Sequence, residues 1–221
     1  MEDCKPMTKT PPGNDPAKDL VERAYSIRSE KEQRALYKDW AESYDDAMVG
    51  GLQYTSPKKC ARLLAEHLTD RHSPVLDVGC GTGLAGLELA RFGFSVIDGI
   101  DISRDMLEMA RRREIYRDLM AADLLQHLPI ADAVYGGAIC TGTFTHAHVG
   151  AACLDELVRT FKPGAVFAFT VHRDVHEEMG FTAKLDELSH SDALQLLAHS
   201  RDTYYDSSDD PEGHFYAYRK L

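Results

Sequence analysis

Between Val75 and Gly83 the chain reads Val-Leu-Asp-Val-Gly-Cys-Gly-Thr-Gly, with glycines at 79, 81 and 83 behind a short apolar run. Glycines in that pattern leave a strand and enter a helix, so the backbone can approach a ligand where helical N–H groups point outward. Gly81, Gly83 and Gly86 also spell G-x-G-x-x-G, and Asp101 lies 20 residues past Gly81. A nicotinamide dinucleotide would have its ribose acid at that distance. Asp77 separates the two ligand classes by charge. It stands at the strand end, two residues before the first glycine. A pyrophosphate beside it is repelled, whereas an ammonium or sulfonium is attracted. S-adenosylmethionine carries both cations and no phosphate. The plain alternative is a carboxylate that only caps the loop's own amides.

Two later segments hold four histidines, Cys140-Thr-Gly-Thr-Phe-Thr-His-Ala-His-Val149 and Thr170-Val-His-Arg-Asp-Val-His176. His172 and His176 are spaced to share a helix face, and His146 and His148 share a side if the chain is extended. A metal site needs further convergent ligands, and none is evident, so no metal is expected. An imidazole titrates near neutrality, which suits a general base or a hydrogen-bond partner for an acceptor. His148 is the first candidate and His172 the second. Polar rim residues without a catalytic role are the competing reading.

These residues need a scaffold, and the pattern of apolar runs supplies one. Ser56-Pro57 starts a helix that runs from Lys58 to about Thr69. Strands are expected over 74–79, 95–102, 115–121, 133–140 and 165–171. Helices are expected over 83–92, 103–113 and 149–161, with Ser103 as an N-cap and Lys162-Pro163-Gly164 as a turn. Alternating strands and helices with runs buried on both faces imply a parallel α/β sheet with right-handed crossovers. Residues 201–206 and 214–219 read as a closing hairpin across the polar loop Ser-Ser-Asp-Asp-Pro-Glu-Gly. Upstream, residues 1–19 are rich in Pro, Lys, Asp and Thr and read as a flexible tail. A helix is expected over about 19–49, with Tyr37, Trp40 and Tyr44 spaced by three and four, ended by Gly50-Gly51.

Together these segments resemble the class I, seven-stranded S-adenosylmethionine-dependent methyltransferases, over roughly residues 35–221. Within that superfamily, Trp40-Ala-Glu-Ser-Tyr-Asp45, the run from Leu76 to Phe94, the run from Asp101 to Arg113 and the closing Tyr218-Arg219-Lys220 look like the methyltransferase-like group of the Williams-Beuren syndrome region and its bacterial relatives. The resemblance implies a doubly wound, mostly parallel sheet of Rossmann-like type with a C-terminal antiparallel hairpin. The methyltransferase domain would span 20–221 and include an N-terminal lid helix. It implies that Gly79, Cys80, Gly81 and Gly83 wrap the methionyl part of the cofactor, with Asp77 near its amino group. Asp101 would accept from both ribose hydroxyls, and Ile102 and Met106 would face the adenine. Asp123 with Leu124 matches the acidic position that accepts from the adenine amino group. Trp40 and Tyr44 match a helix that closes over the cofactor, and Cys140 flanks the same cleft. The activity implied is methyl transfer to a small-molecule acceptor, with a protein acceptor as the alternative. A nicotinamide-dependent dehydrogenase and a non-catalytic cofactor binder are the remaining readings.

Composition narrows the partners. The 221 residues carry 25 Lys+Arg against 36 Asp+Glu, a formal charge of −11. That repels polyanions, so no nucleic acid is expected. Within the superfamily this chain resembles, enzymes that methylate nucleobase or glutamine amino groups often carry Asn/Asp-Pro-Pro-aromatic after the fourth strand. Cys140-Thr-Gly-Thr143 stands there in this chain, so the resemblance disfavours that chemistry. No stretch approaches the ~20 apolar residues of a membrane span, and no apolar signal segment is visible. Five cysteines without paired spacing indicate neither a disulfide framework nor a zinc site. A reduced, cytoplasmic protein is the expectation.

Overall fold

A computed structural model describes residues 53–145, 149–206, 208, 210 and 212–221. The tail over 1–19, the helix expected over 19–49 with Trp40 and Tyr44, and His146 and His148 lie outside the described residues.

The described chain begins with α1 (Ser56–His67), which has a proline in its first turn. It continues through β1 (Val75–Val78), α2 (Leu84–Arg91), β2 (Ile97–Asp101) and α3 (Arg104–Arg111). The Ser103 hydroxyl caps α3 by accepting from the Met106 amide. Then come β3 (Asp118–Ala121), β4 (Tyr135–Phe144), α4 (Cys153–Thr160) and β5 (Phe161–His172). The chain closes with α5 (Arg173–His176), α6 (Phe181–His190), β6 (Leu194–Asp202) and β7 (Gly213–Lys220). The seven strands form one sheet in the order β3-β2-β1-β4-β5-β7-β6. β1 to β5 are mutually parallel, and β7 runs antiparallel between β5 and β6.

Alternation along the strands divides the core into two layers. Leu76, Val78, Phe144, Phe167 and Phe169 face α4 and α6, meeting Leu154, Leu157 and Leu185. Val75, Ile97, Ile139, Val166 and Ala168 face α1 and α2, meeting Cys60, Leu64 and Leu89. Each such fully buried aliphatic side chain contributes about 1.5–3 kcal/mol over exposure, so both faces of the central strands must be covered. The C-terminal ends of β1, β2, β4 and β5 consequently converge on one edge, where open α/β sheets bind ligands.

Three differences from the sequence reading have physical causes. The turn at Lys162-Pro163-Gly164 lies inside β5 as an exposed irregularity: Phe161 pairs with Tyr135, and pairing resumes at Val166 with Gly137. The hairpin exists, but β6 starts at Leu194 rather than at 201, and residues 203–206 leave the ladder. Much of β6 is exposed at the sheet edge, so its sequence carries little apolar alternation to announce it. The helices α5 and α6 were not anticipated. α5 has four residues, too few for a periodic pattern, and α6 buries only Phe181, Leu185 and Leu188.

Candidate active site

The loop after β1 is shaped by three left-handed glycines, with φ of +65° at Gly79, +53° at Gly81 and +91° at Gly83. Gly83 caps α2 without a side chain. A Cβ at Gly79 would lie 2.1 Å from Thr143 Oγ1 of β4, so that position must be glycine for space as well as for φ. A Cβ at Gly81 would meet nothing within 4 Å. The loop is therefore supported from below at Gly79 and open at Gly81. The Gly81 amide donates to Asp101 Oδ2 at 2.9 Å, and the Ser103 amide donates to Asp101 Oδ1 at 2.8 Å. Burial raises the Asp101 carboxyl above its ordinary pKa, and the amides of Ser103, Gly81 and Ile102 oppose the rise.

Asp77 is placed differently. Its side chain alternates with Leu76 and Val78, so it points into the layer beneath α2 and is buried. Oδ2 accepts from Tyr116 Oη at 2.6 Å. Oδ1 is buried without a hydrogen-bond partner among the described residues. Burial pushes its pKa up to about 7, opposed by the Tyr116 hydroxyl and the Gly86 amide, and the Asp101 charge adds to the rise. The unsatisfied oxygen, the open space over Gly81 and the two acidic groups fit a cationic ligand. Arg113, the nearby base, is turned onto the Thr82 carbonyl and packs against Gly83.

Other candidates fall into two groups. Ile102 and Asp123 are partly exposed at the ends of β2 and β3. They are brought side by side, since the Ala122 amide donates to the Asp101 carbonyl at 3.0 Å. Asp123 Oδ1 accepts from the Leu125 amide at 2.8 Å. Met106, Leu124, Cys80 and Cys140 are buried. Cys80 Sγ would lie 2.9 Å from a Cβ at Gly99, so its thiol packs under the loop and its backbone is what the loop presents. Cys140 is fully buried within the layer facing α4. Burial raises the pKa of both thiols well above the ordinary value.

On the acceptor side, β4 continues past Cys140 to Phe144, and the Gly142 amide donates to Thr170 Oγ1 of β5 at 3.4 Å. Tyr54 Oη would lie 2.8 Å from a Cβ at Gly142. His172 ends β5, is buried, and lies with its ring centroid 5.8 Å from that of Tyr204. Its Nδ1 accepts from the Asp174 amide at 3.3 Å, which places the ring proton on Nε2. His172 and His176 do not share a helix face, because His172 is in extended backbone and caps α5. His176 instead turns to the opposite layer, with Nε2 2.8 Å from Tyr216 Oη and its ring stacked on His214. Among the described residues, no group of three or more His, Cys, Asp or Glu side chains is arranged to hold a metal. Likewise no described helix is long and apolar enough to cross a membrane.

Tyr116 carries no role in the sequence analysis, and the approach of Thr143 to Gly79 and of Tyr54 to Gly142 is seen only in the structure. A signal existed for the crowding beside Tyr116: Gly99 lies inside an apolar strand, a strand glycine marks the close approach of other groups, and Leu119, Cys80 and Tyr116 all approach there.

Comparison with known proteins agrees with this geometry. Residues 76–169 match the family model of a methyltransferase domain. Human methyltransferase-like protein 27 is 33% identical over 153 residues, covering 68% of this chain and 62% of that protein. Trans-aconitate 2-methyltransferase of Azoarcus sp. (strain BH72) is 33% identical over 118 residues, covering 52% of this chain and 45% of that protein. The chain thus spans less than two thirds of either relative. Among solved structures, the methyltransferase in complex with the Haloferax volcanii Trm112 methyltransferase activator shares the fold. It has a TM-score of 0.64 at 21% identity, over 88% of this chain and 99% of that one. The antiparallel β7 between β5 and β6 also departs from the 3-2-1-4-5-6 parallel order of dinucleotide-binding sheets, which sets the dehydrogenase reading aside. Sheet order, glycine loop and family match agree: the chain has the class I methyltransferase fold, and its residues 76–169 are similar to a methyltransferase domain.

Proposed function

We propose that the whole chain transfers a methyl group from S-adenosylmethionine to a small-molecule acceptor. The observation that carries this reading is the glycine loop tied to Asp101 at the C-terminal edge of a sheet of this order. When bound, S-adenosylmethionine supplies a methyl group already activated on a sulfonium.

The chain's own part is to hold and align. Asp101 uses one lone pair of each oxygen on a backbone amide and keeps others for the two ribose hydroxyls. Ile102 and Met106 offer an apolar wall for the adenine, and Asp123 an acceptor for its amino group. Gly79, Cys80, Gly81 and Gly83 present backbone to the methionyl part, with Asp77 charged beneath them. Trp40 and Tyr44 cover the cofactor. With the methyl activated, rate comes mainly from lining up acceptor, methyl and sulfur. A base is needed only where the acceptor carries a proton at attack, and His148 or His172 serves there as base or hydrogen-bond partner.

Three features support a small acceptor. The relative from Azoarcus sp. is named for a small molecule. The segment Cys140-Thr-Gly-Thr143 stands where amino-methylating enzymes carry a different signature. The formal charge of −11 suits neutral or cationic acceptors better than polyanions. The finer kinship, with the Williams-Beuren syndrome region group, rests on Trp40–Asp45, the glycine loop and Tyr218–Lys220 and is part of the proposal. The test is transfer of label from methyl-labelled S-adenosylmethionine to a panel of neutral and cationic oxygen, nitrogen and sulfur acceptors, with a protein fraction in parallel. Label in a small molecule with matching S-adenosylhomocysteine supports the reading. Label confined to protein replaces it with the protein-methylating alternative.

A further inference from the structure

Three glycines from three elements make room for one phenol ring. A Cβ at Gly86 in α2 would lie 2.2 Å from Tyr116 Oη, one at Gly99 in β2 3.1 Å from its Cε1, and one at Gly83 3.0 Å from its Cε2. Gly86 and Gly99 have no positive φ, so their backbone does not require glycine. Space does: for Tyr116 at Gly86, and for Leu119, Cys80 and Tyr116 together at Gly99. The segment after α3 that carries the ring is anchored to β2 by the Arg117 amide, which donates to the Ile97 carbonyl at 2.7 Å. The slot delivers the hydroxyl to Asp77 Oδ2 at 2.6 Å.

We propose that Tyr116 is a positioning residue for the methyl-donor pocket, whose hydroxyl fixes the Asp77 carboxylate beneath the glycine loop and so sets how firmly the loop holds a cationic ligand. The proposal rests on the donor reading above. Asp77 is surrounded by few charges. Asp101 faces it from β2, and the thiols of Cys60 on α1 and Cys80 in the loop lie near it, while Cys140 on β4 acts from the opposite layer of the sheet. Burial raises all three thiols, so they stay neutral, while Arg113 bears on Tyr116. The Tyr116 hydrogen bond is then the largest influence favouring the charged carboxylate. Without it the Asp77 pKa rises further above about 7, and attraction for a sulfonium is lost at a higher pH. S-adenosylhomocysteine keeps the amino group beside Asp77 and lacks the sulfonium, so it feels only the ammonium part of this attraction.

The test is calorimetric titration of the full chain and its Tyr116→Phe variant with both ligands between pH 6 and 9. Phe keeps the ring and removes the hydroxyl. The expected result at pH 7 is about a tenfold loss of S-adenosylmethionine affinity, in the range of a hydrogen bond to a charged group, with a smaller loss for S-adenosylhomocysteine. The pH below which S-adenosylmethionine binding weakens moves upward. In an Asp77→Asn background the same substitution has no further effect. Gly86→Ala is an independent variant, since its methyl must displace the hydroxyl, and it reproduces the loss with Tyr116 intact. Wild-type affinity and pH profile in Tyr116→Phe overturn the proposal and leave the ring as packing. If the wild-type chain binds neither ligand, the donor reading fails and the proposal with it.

Discussion

The Gly81 amide donates to Asp101 Oδ2 across 2.9 Å, joining the loop after β1 to the end of β2. One carboxylate thereby shapes the loop and offers its remaining lone pairs to a ligand. Asp101→Ala removes both functions. Counting about 1.5–3 kcal/mol for each of two hydrogen bonds to a charged group, S-adenosylhomocysteine affinity is expected to fall by more than roughly 100-fold, measured by calorimetry. Unchanged affinity would remove Asp101 from the ribose site.

Gly79 and Gly164 separate space from strain. Both have positive φ, but a Cβ at Gly79 meets Thr143 Oγ1 at 2.1 Å, and one at Gly164 meets nothing within 4 Å. Gly164→Ala is expected to cost about 1 kcal/mol, from backbone conformation alone, with donor affinity intact. Gly79→Ala adds the displacement of β4 from the loop, for a total of roughly 2–4 kcal/mol, and weakens donor binding. Denaturant unfolding and ligand titration on both variants decide this, and equal effects would contradict it.

His148 and His172 differ in what their loss should do. His172 is buried against Tyr204, so His172→Ala is expected to lower stability by about 1–3 kcal/mol as well as turnover. His148→Ala is expected to lower turnover more than donor affinity. Full turnover in His148→Ala, on whichever acceptor the panel identifies, would remove it as base.

The rings of His176, His199, His214 and Tyr216 stack on one another beside the β6–β7 ladder. His199 Nε2 and His214 Nδ1 lie 3.0 Å apart, so one of the pair must accept and carry no proton there. Burial lowers the pKa of all three histidines, that of His214 to about 4, with His176, His199 and Arg201 adding to the His214 shift and Glu177 opposing it. The folded state therefore prefers neutral rings. Their stabilisation is complete above the unfolded histidine pKa of about 6.5 and is lost as pH falls toward 4. Denaturant midpoints at pH 7.5 and 5 should differ less in His214→Phe than in wild type. An identical pH dependence would contradict the assignment.

Much of this architecture was legible because local and global preferences coincide. Val75–Val78 is buried on both faces, so an uninterrupted apolar run with a single Asp marks both the strand and the anomaly within it. Ser103 and Pro57 mark helix starts that the structure contains. The role of Tyr116 was not legible, because its partner Asp77 lies 39 residues away in sequence and only the sheet brings them together. Edge strand β6 and the four-residue α5 lacked the periodicity that identifies longer or more buried elements.

The most direct measurement is thermal unfolding in parallel with S-adenosylmethionine, S-adenosylhomocysteine, NAD and NADP. A ligand at 100 times its dissociation constant adds about 2.7 kcal/mol, which for a domain of this size raises the midpoint by roughly 5–10 °C. The expected result is a shift with the first two and none with the nicotinamides. A shift confined to NAD or NADP, or none with any of the four, would contradict the assignment of the glycine loop and Asp101 to a methyl donor.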